Sequence, residues 1–212
     1  MIYEVRTYDI KGGSQAEVER RFGEAYEKRK KFSELAAFFH TEIGPLNQII
    51  HIWPYADMAE RAKVRAAAIA DKTWPPDIKD FIVAQRSEIF IPFPFSPPIK
   101  PGKYGPIFEM RTYTYPSGKL PLLQDNWEKA IPDRIKMSPC LAMWYSDLGA
   151  LNKFVHIWPY ASMNDRMETR ARAVASGIWP PSAKAKKDGR EPLEYLAQEN
   201  KIVMPSSFSP VQ

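Results

Sequence analysis

The stretch His51-Ile52-Trp53-Pro54-Tyr55-Ala56 returns unchanged as His156-Ile157-Trp158-Pro159-Tyr160-Ala161. The offset of 105 residues (156 − 51) also carries Glu4-Val5-Arg6-Thr7-Tyr8 onto Glu109-Met110-Arg111-Thr112-Tyr113, and Trp74-Pro75-Pro76 onto Trp179-Pro180-Pro181. A register kept without a gap from Glu4 to Pro76 marks a tandem duplication. Phe95-Ser96-Pro97 comes back as Phe208-Ser209-Pro210 at an offset of 113 (208 − 95), so eight residues (113 − 105) are inserted after Pro181.

These offsets divide the 212 residues into a first domain over 1–97, a Pro/Gly linker over 98–106, and a second domain over 107–212 with its insertion at about 182–190. Each half is long enough to bury a core of its own. With 44% hydrophobic residues and charge spread along the chain, the composition is that of an ordered globular protein.

Within one half, Ile2–Tyr8 alternates as a strand, and Val18, Phe22 and Tyr26 recur at helical spacing over Glu17–Lys31. Strands Leu35–Thr41 and Asn47–Trp53 are joined closely enough to form an antiparallel hairpin, with Pro54 ending the second. Asp57 and Glu60, matched by Ser162 and Asp165, have capping-box spacing at the head of a second helix. A short helix over Asp77–Ala84 and a strand over Ser87–Ile91 complete the half. The order β-α-β-β-α-β is the ferredoxin-like pattern, an α+β fold, with the first and third strands in the middle of the sheet.

Alternation sorts the two central strands into faces. One face carries Glu4, Arg6, Tyr8, Asn47, His51 and Trp53, repeated as Glu109, Arg111, Tyr113, Asn152, His156 and Trp158. The other carries Val5, Ile50 and Ile52, or Met110, Val155 and Ile157. The expectation is that helices cover the apolar set. The polar and aromatic sets of both halves then point into one shared, hydrogen-bonded enclosure, the floor of a ligand pocket.

Glu-X-Arg-Thr-Tyr, Gly-X-Leu-Asn-X-X-X-His-Ile-Trp-X-Tyr, an Asp/Glu-Arg-X-X-X-Arg helix and a closing Phe-Ser-Pro together resemble the NIPSNAP family across nearly the whole chain. The resemblance implies a dimeric α/β-barrel architecture built from two ferredoxin-like repeats, and leaves the reaction open. Pro54 and Pro159 depart from it, since a basic residue is expected after the tryptophan. The fold class also houses cofactor-free monooxygenases, isomerases and haem proteins, so the site must decide.

His51 and His156 are the candidates for acid–base catalysis, because imidazole exchanges protons near neutral pH; the alternative is a hydrogen bond that fixes the strand. Glu4 with Arg6, and Glu109 with Arg111, read either as ion pairs or as a carboxylate-binding arginine held by an acid. Tyr8, Trp53, Tyr113 and Trp158 either stack on a ligand or fill the core, and Asn47 and Asn152 complete the ligand-binding set. Arg61, Arg65, Arg166 and Arg170 are solvated or paired with acids.

The leading expectation is a small apolar or aromatic ligand in a barrel pocket. The alternative is a cofactor-independent monooxygenase or isomerase using His51 or His156; haem binding and a protein-interaction role are lesser alternatives. Three histidines without paired spacing, and one cysteine, Cys140, give no metal site and no intramolecular disulfide, and no cofactor is expected. The net charge of +5 is concentrated in part at Lys184-Ala185-Lys186-Lys187-Asp188-Gly189-Arg190, read as a solvated loop because no nucleic-acid motif accompanies it. With no apolar run of membrane-spanning length and no leader pattern, the expectation is a cytoplasmic protein. It is expected to form a homo-oligomer, a dimer, through its sheet edges.

Overall fold

The structure, a computed structural model, describes residues 1–72 and 74–212. The first repeat runs β1 (Ile2–Ile10), α1 (Gln15–Arg29), β2 (Ala37–Ile43), β3 (Gln48–Tyr55), α2 (Met58–Ala70), a 3-10 turn (Lys79–Phe81) and β4 (Ile82–Pro92). The second runs β5 (Ile107–Thr114), α3 (Leu120–Arg134), β6 (Ala142–Leu148), β7 (Lys153–Tyr160), α4 (Met163–Ala175), α5 (Pro181–Lys187) and β8 (Ala197–Pro205). Each repeat is ferredoxin-like, with β1 beside β3 and β5 beside β7 in the middle of its sheet.

The two sheets close into one eight-stranded barrel, β1-β3-β2-β8-β5-β7-β6-β4. The seams are β2 with β8 and β4 with β6, so the barrel closes within a single chain. Closure leaves no free sheet edge, which removes the edge-strand reason for expecting self-association.

The capping boxes form as expected: Asp57 accepts from the Glu60 amide at 2.9 Å and Ser162 from the Asp165 amide at 3.1 Å. Glu60 and Asp165 reach back to the amides of Ala56 and Ala161. Three expectations about elements are corrected. Pro54 does not end β3, which continues to Tyr55. The β2 ladder stops at Ala37 opposite Ile52, so the bond that Pro54 cannot donate has no neighbour to receive it. The helix expected over 77–84 is a short 3-10 turn, and β4 starts at Ile82. The lysine-rich insertion is not a solvated loop: its first part is α5, which buries Pro181 and Ala185, one helical turn apart, and turns its lysines outward.

The largest correction concerns the faces. Tyr3, Val5, Ile50, Ile52, Phe108, Met110, Trp144, Val155, Ile157 and Val203 form one apolar cluster drawn from both repeats, inside the barrel. The face with Glu4, Arg6, Tyr8, His51 and Trp53 lies outside, under the helices, as does its counterpart in the second repeat. The middle of a closed barrel is dry, and charges there would lose water and gain no helix to pair with. Those that face inward, such as Glu88, Lys153 and Lys201, gather around one cavity and bond to one another or to Gln48. The apolar set therefore goes in, and the polar set meets the arginines of α2 and α4. The two polar sets therefore form separate sites, one per repeat. The cavity of about 380 Å³ that both repeats share inside the barrel is lined instead by Val5, Gln48, Glu88, Met110, Trp144 and Lys201.

The linker belongs to the fold as well. Gly102 bridges to Val211 in parallel, and Ile99, Tyr104 and Val211 pack against the interior cluster at the barrel's end. Gly105 adopts φ +152°, and a Cβ there would sit 2.5 Å from the Tyr160 carbonyl oxygen, so only glycine fits.

Candidate functional site

Glu4 on β1 is fully buried, yet it is surrounded by cation donors. Its Oε1 accepts from Arg6 Nη1 at 2.9 Å, Arg61 Nη2 at 2.7 Å and Ser87 Oγ at 2.7 Å, with Arg65 Nη1 at 3.7 Å. Burial alone would raise its pKa. The hydrogen bonds from Arg61 and Ser87 and the charges of Arg6 and Arg65 outweigh that and hold it at about 2. Glu109 repeats the arrangement with Arg111 at 2.8 Å, Arg166 at 2.5 Å and Arg170 at 3.5 Å, and its pKa is likewise lowered. The arginines one turn apart on α2 and α4 are thus paired with an acid beneath the helix.

His51 is sealed. Its Nδ1 accepts from the Trp53 indole at 2.7 Å, and its ring lies against Tyr8, Phe22 and Phe38. The bond fixes the proton on Nε2, which is buried and has no hydrogen-bond partner among the described residues. Desolvation, reinforced by the charge of Arg6, pushes its pKa well below the ordinary imidazole value. His156 repeats this with Trp158 at 2.6 Å, its pKa lowered by burial and by Arg111. At neutral pH both rings are uncharged and buried, and the Nδ1 lone pair of each is taken up by an indole N–H.

Beside this buried layer, the first repeat holds a cavity of about 670 Å³. Arg6 and Tyr8 of β1 form its floor, joined by Nε of Arg6 donating to Tyr8 Oη at 2.9 Å. Arg65 and Ile69 of α2, Trp74-Pro75-Pro76, Ile78 and Lys79, and Ile82 and Gln85 of β4 form the walls. The Trp74–Pro75 and Trp179–Pro180 peptides are both cis. The second repeat has a smaller cavity of about 300 Å³ in the corresponding place, on Arg111 and Tyr113, bounded by Trp127, Arg170 and Trp179 and by Leu193, Glu194 and Tyr195 after the insertion.

Of the residues singled out from sequence, Arg6 and Tyr8, and Arg111 and Tyr113, line the cavities. Glu4, Trp53, Glu109 and Trp158 lie beneath them and hold the lining in place. Asn47 and Asn152 sit in the β2–β3 and β6–β7 turns at φ 55° and 58°, where asparagine is tolerated, and their carbonyls accept from Ile10 and Tyr115.

Sequence reasoning missed Arg29 and Arg134. They are almost fully buried near the ends of α1 and α3, with guanidinium groups 4.7 Å from the Trp53 ring and 4.2 Å from the Trp158 ring. The available signal was their 105-residue spacing (134 − 29), hidden because a basic residue ending a helix usually meets water. Among the described residues no group of three or more His, Cys, Asp or Glu side chains is placed to hold a metal ion. Nor is any helix among them long and apolar enough to cross a membrane.

Two ferredoxin-like repeats closed into one barrel, with a charged layer under the helices, define a protein of the dimeric α/β-barrel class carried in one polypeptide. Solved structures share this architecture over the full length. A candidate monooxygenase from Fusobacterium nucleatum superposes with a TM-score of 0.68 over 97% of this chain and 92% of its own, at 10% identity. Another from Lactobacillus acidophilus gives 0.62 over 97% and 94%, at 11% identity. At such identities the likeness concerns the fold alone. The NIPSNAP family profile matches residues 3–97 and 108–210, and the chain belongs to the NIPSNAP family. Human protein NipSnap homolog 3A is 29% identical over 221 aligned positions, covering 100% of this chain and 86% of that protein. Drosophila melanogaster protein NipSnap is 26% identical over 226, covering 100% and 79%.

Proposed function

We propose that this protein binds a small, largely apolar or aromatic molecule between the outer face of the barrel and the helices that cover it. The observation that carries this reading is the cavity of about 670 Å³ in the first repeat, with Tyr8, Trp74, Ile69 and Ile82 as apolar surface and arginine at its floor. A volume of this size suits a ligand of one or two rings, and apolar walls with few polar groups are the usual form of such sites. We assign His51 and His156 to holding the indoles of Trp53 and Trp158 in place rather than to acid–base work.

The test is a titration with naphthalene-1-carboxamide, a neutral two-ring probe, followed by fluorescence, together with native mass spectrometry of molecules that co-purify. Binding is expected, and Ile82→Trp, which fills the cavity from β4, is expected to weaken it at least tenfold with the fold retained by circular dichroism. Unchanged affinity in Ile82→Trp would move the ligand elsewhere and end this reading.

The setting we propose is the cytoplasm, in keeping with a lone buried thiol, Cys140, whose pKa burial pushes up to about 12. The homodimer we propose would form through the surfaces of α2 and α4 away from the cavities, where Met58, Met163 and Met167 are exposed. Sedimentation velocity showing only monomer at micromolar concentration would refute the dimer.

A further inference from the structure

The repeats share a fold and a motif, so each difference between their two cavities bears on what the chain binds and where. Tyr8 pairs with Gln85 across β1 and β4, and Tyr113 pairs with Gln198 across β5 and β8, so the two glutamines occupy equivalent places. Their bonding differs. Gln198 Oε1 accepts from Arg111 Nη2 at 3.0 Å, which together with the bonds to Glu109 and Tyr113 engages all three nitrogens of that guanidinium. Arg6 makes the corresponding bonds to Glu4 and Tyr8 through Nη1 and Nε, but among the described residues Nη2 finds no acceptor, and Gln85 lines the cavity without reaching it.

The second difference is cover. In the second repeat, the segment after the insertion lays Leu193, Glu194 and Tyr195 over the site. The Tyr195 ring lies 5.0 Å from that of Tyr113, and the remaining cavity is less than half the size of the first. The first repeat has no insertion at this place. Its cavity is lined by Arg6, Arg65 and Lys79 against the single carboxylate of Asp77.

Resting on the pocket reading above, we infer that the first repeat alone carries the ligand site, and that its ligand is an organic monocarboxylate. The carboxylate accepts from Arg6 Nη2, and its apolar body lies between Trp74, Ile69 and Ile82. The chemistry favours a carboxylate because Arg6 is rigidly oriented by Glu4 and Tyr8. A fixed, largely desolvated guanidinium with one open N–H edge pays little entropy to bind an anion and gains little from a neutral group. In the second repeat the same edge is closed by Gln198, and Tyr195 occupies the space a ligand ring would take. The duplicated copy has thereby turned its own segment into a permanent occupant.

The experiment compares 1-naphthoate with its neutral amide, naphthalene-1-carboxamide, by isothermal titration on the wild-type chain and on two variants. One naphthoate is expected per chain, bound at least tenfold more tightly than the amide, about the worth of one hydrogen bond to a charged group. Gln85→Glu, a change on an exposed strand position, puts a carboxylate beside Arg6 Nη2; it is expected to abolish the preference for the acid while the amide still binds. The double variant Tyr195→Ala/Gln198→Ala uncovers the second cavity and frees Arg111 Nη2, and is expected to raise the stoichiometry of naphthoate from one to two. Equal affinity for acid and amide in the wild type overturns the anion assignment while the pocket reading survives. Two molecules per wild-type chain overturn the assignment to one repeat. A preference unchanged in Gln85→Glu overturns the role of Arg6. Failure of both probes to bind at millimolar concentration overturns this inference and the pocket reading together.

Discussion

At the scale of residues, the molecule places charge where water is absent and then neutralises it locally. Glu4 shows how finely this is balanced: three cation or hydroxyl donors crowd one carboxylate oxygen, while Oε2 has no hydrogen-bond partner among the described residues. Glu4→Ala would strand Arg6, Arg61 and Arg65 together, and is expected to cost about 3–5 kcal/mol in urea unfolding, the usual range for breaking a buried pair. Glu109→Ala should cost a similar amount. The histidines set the acid side of the stability profile. Their folded-state pKa values are depressed, so the unfolded chain takes up protons near pH 6.5 that the folded chain refuses. Their contribution is fully present above that pH and is lost as the pH falls. With both rings involved, stability should drop by up to about 2.7 kcal/mol per pH unit below pH 6. Glu4 extends the loss from about 4.5 down to about 2. His51→Gln should roughly halve the slope between pH 6 and pH 5, measured by urea denaturation at each pH; an unaltered slope would show that the ring titrates in the folded chain.

At the scale of elements, α2 and α4 are held to the barrel less by apolar contact than by the clamps to Glu4 and Glu109: α2 buries only Ala68, and α4 only Thr169 and Ala173. The short α5 is different, since Arg190 ties its end to Asp125 and Asn126 on α3, at 3.2 and 2.7 Å. Arg190→Ala should release this attachment. Hydrogen exchange over 181–195 is expected to rise by at least tenfold, with the first repeat unaffected and global stability lowered by about 1–2 kcal/mol. What was readable in advance follows from these contacts. The helix starts and the order of strands were legible because caps and alternation are local. The helical character of the insertion was not: among four basic residues, the signal lay in the spacing of Pro181 and Ala185, and only packing on α3 makes that spacing matter.

At the scale of the whole molecule, the duplication was plain from the 105-residue register, and the barrel class followed from it. Which face turned inward was not legible. Alternation divides Glu4, Arg6 and Tyr8 from Val5 and Thr7, but it holds no information about the side on which a sheet closes. That depends on the pairing of β2 with β8 and β4 with β6, between residues far apart in sequence. These seams, not the linker, join the repeats. A protease site substituted at 98–101 and cleaved in the folded protein should leave both fragments together as one particle in size-exclusion chromatography; separation without denaturant would contradict the seam pairing.

Tyr3 of the first repeat and Trp144 of the second lie face to face inside the barrel, with ring centres 4.3 Å apart and planes 15° from parallel. The two rings come from opposite halves, so any breathing of the wall that joins β4 to β6 must pull one away from the other. The protein thus contains its own optical strain gauge: with the other five tryptophans replaced by phenylalanine, the Trp144 indole would report whether the cylinder is shut.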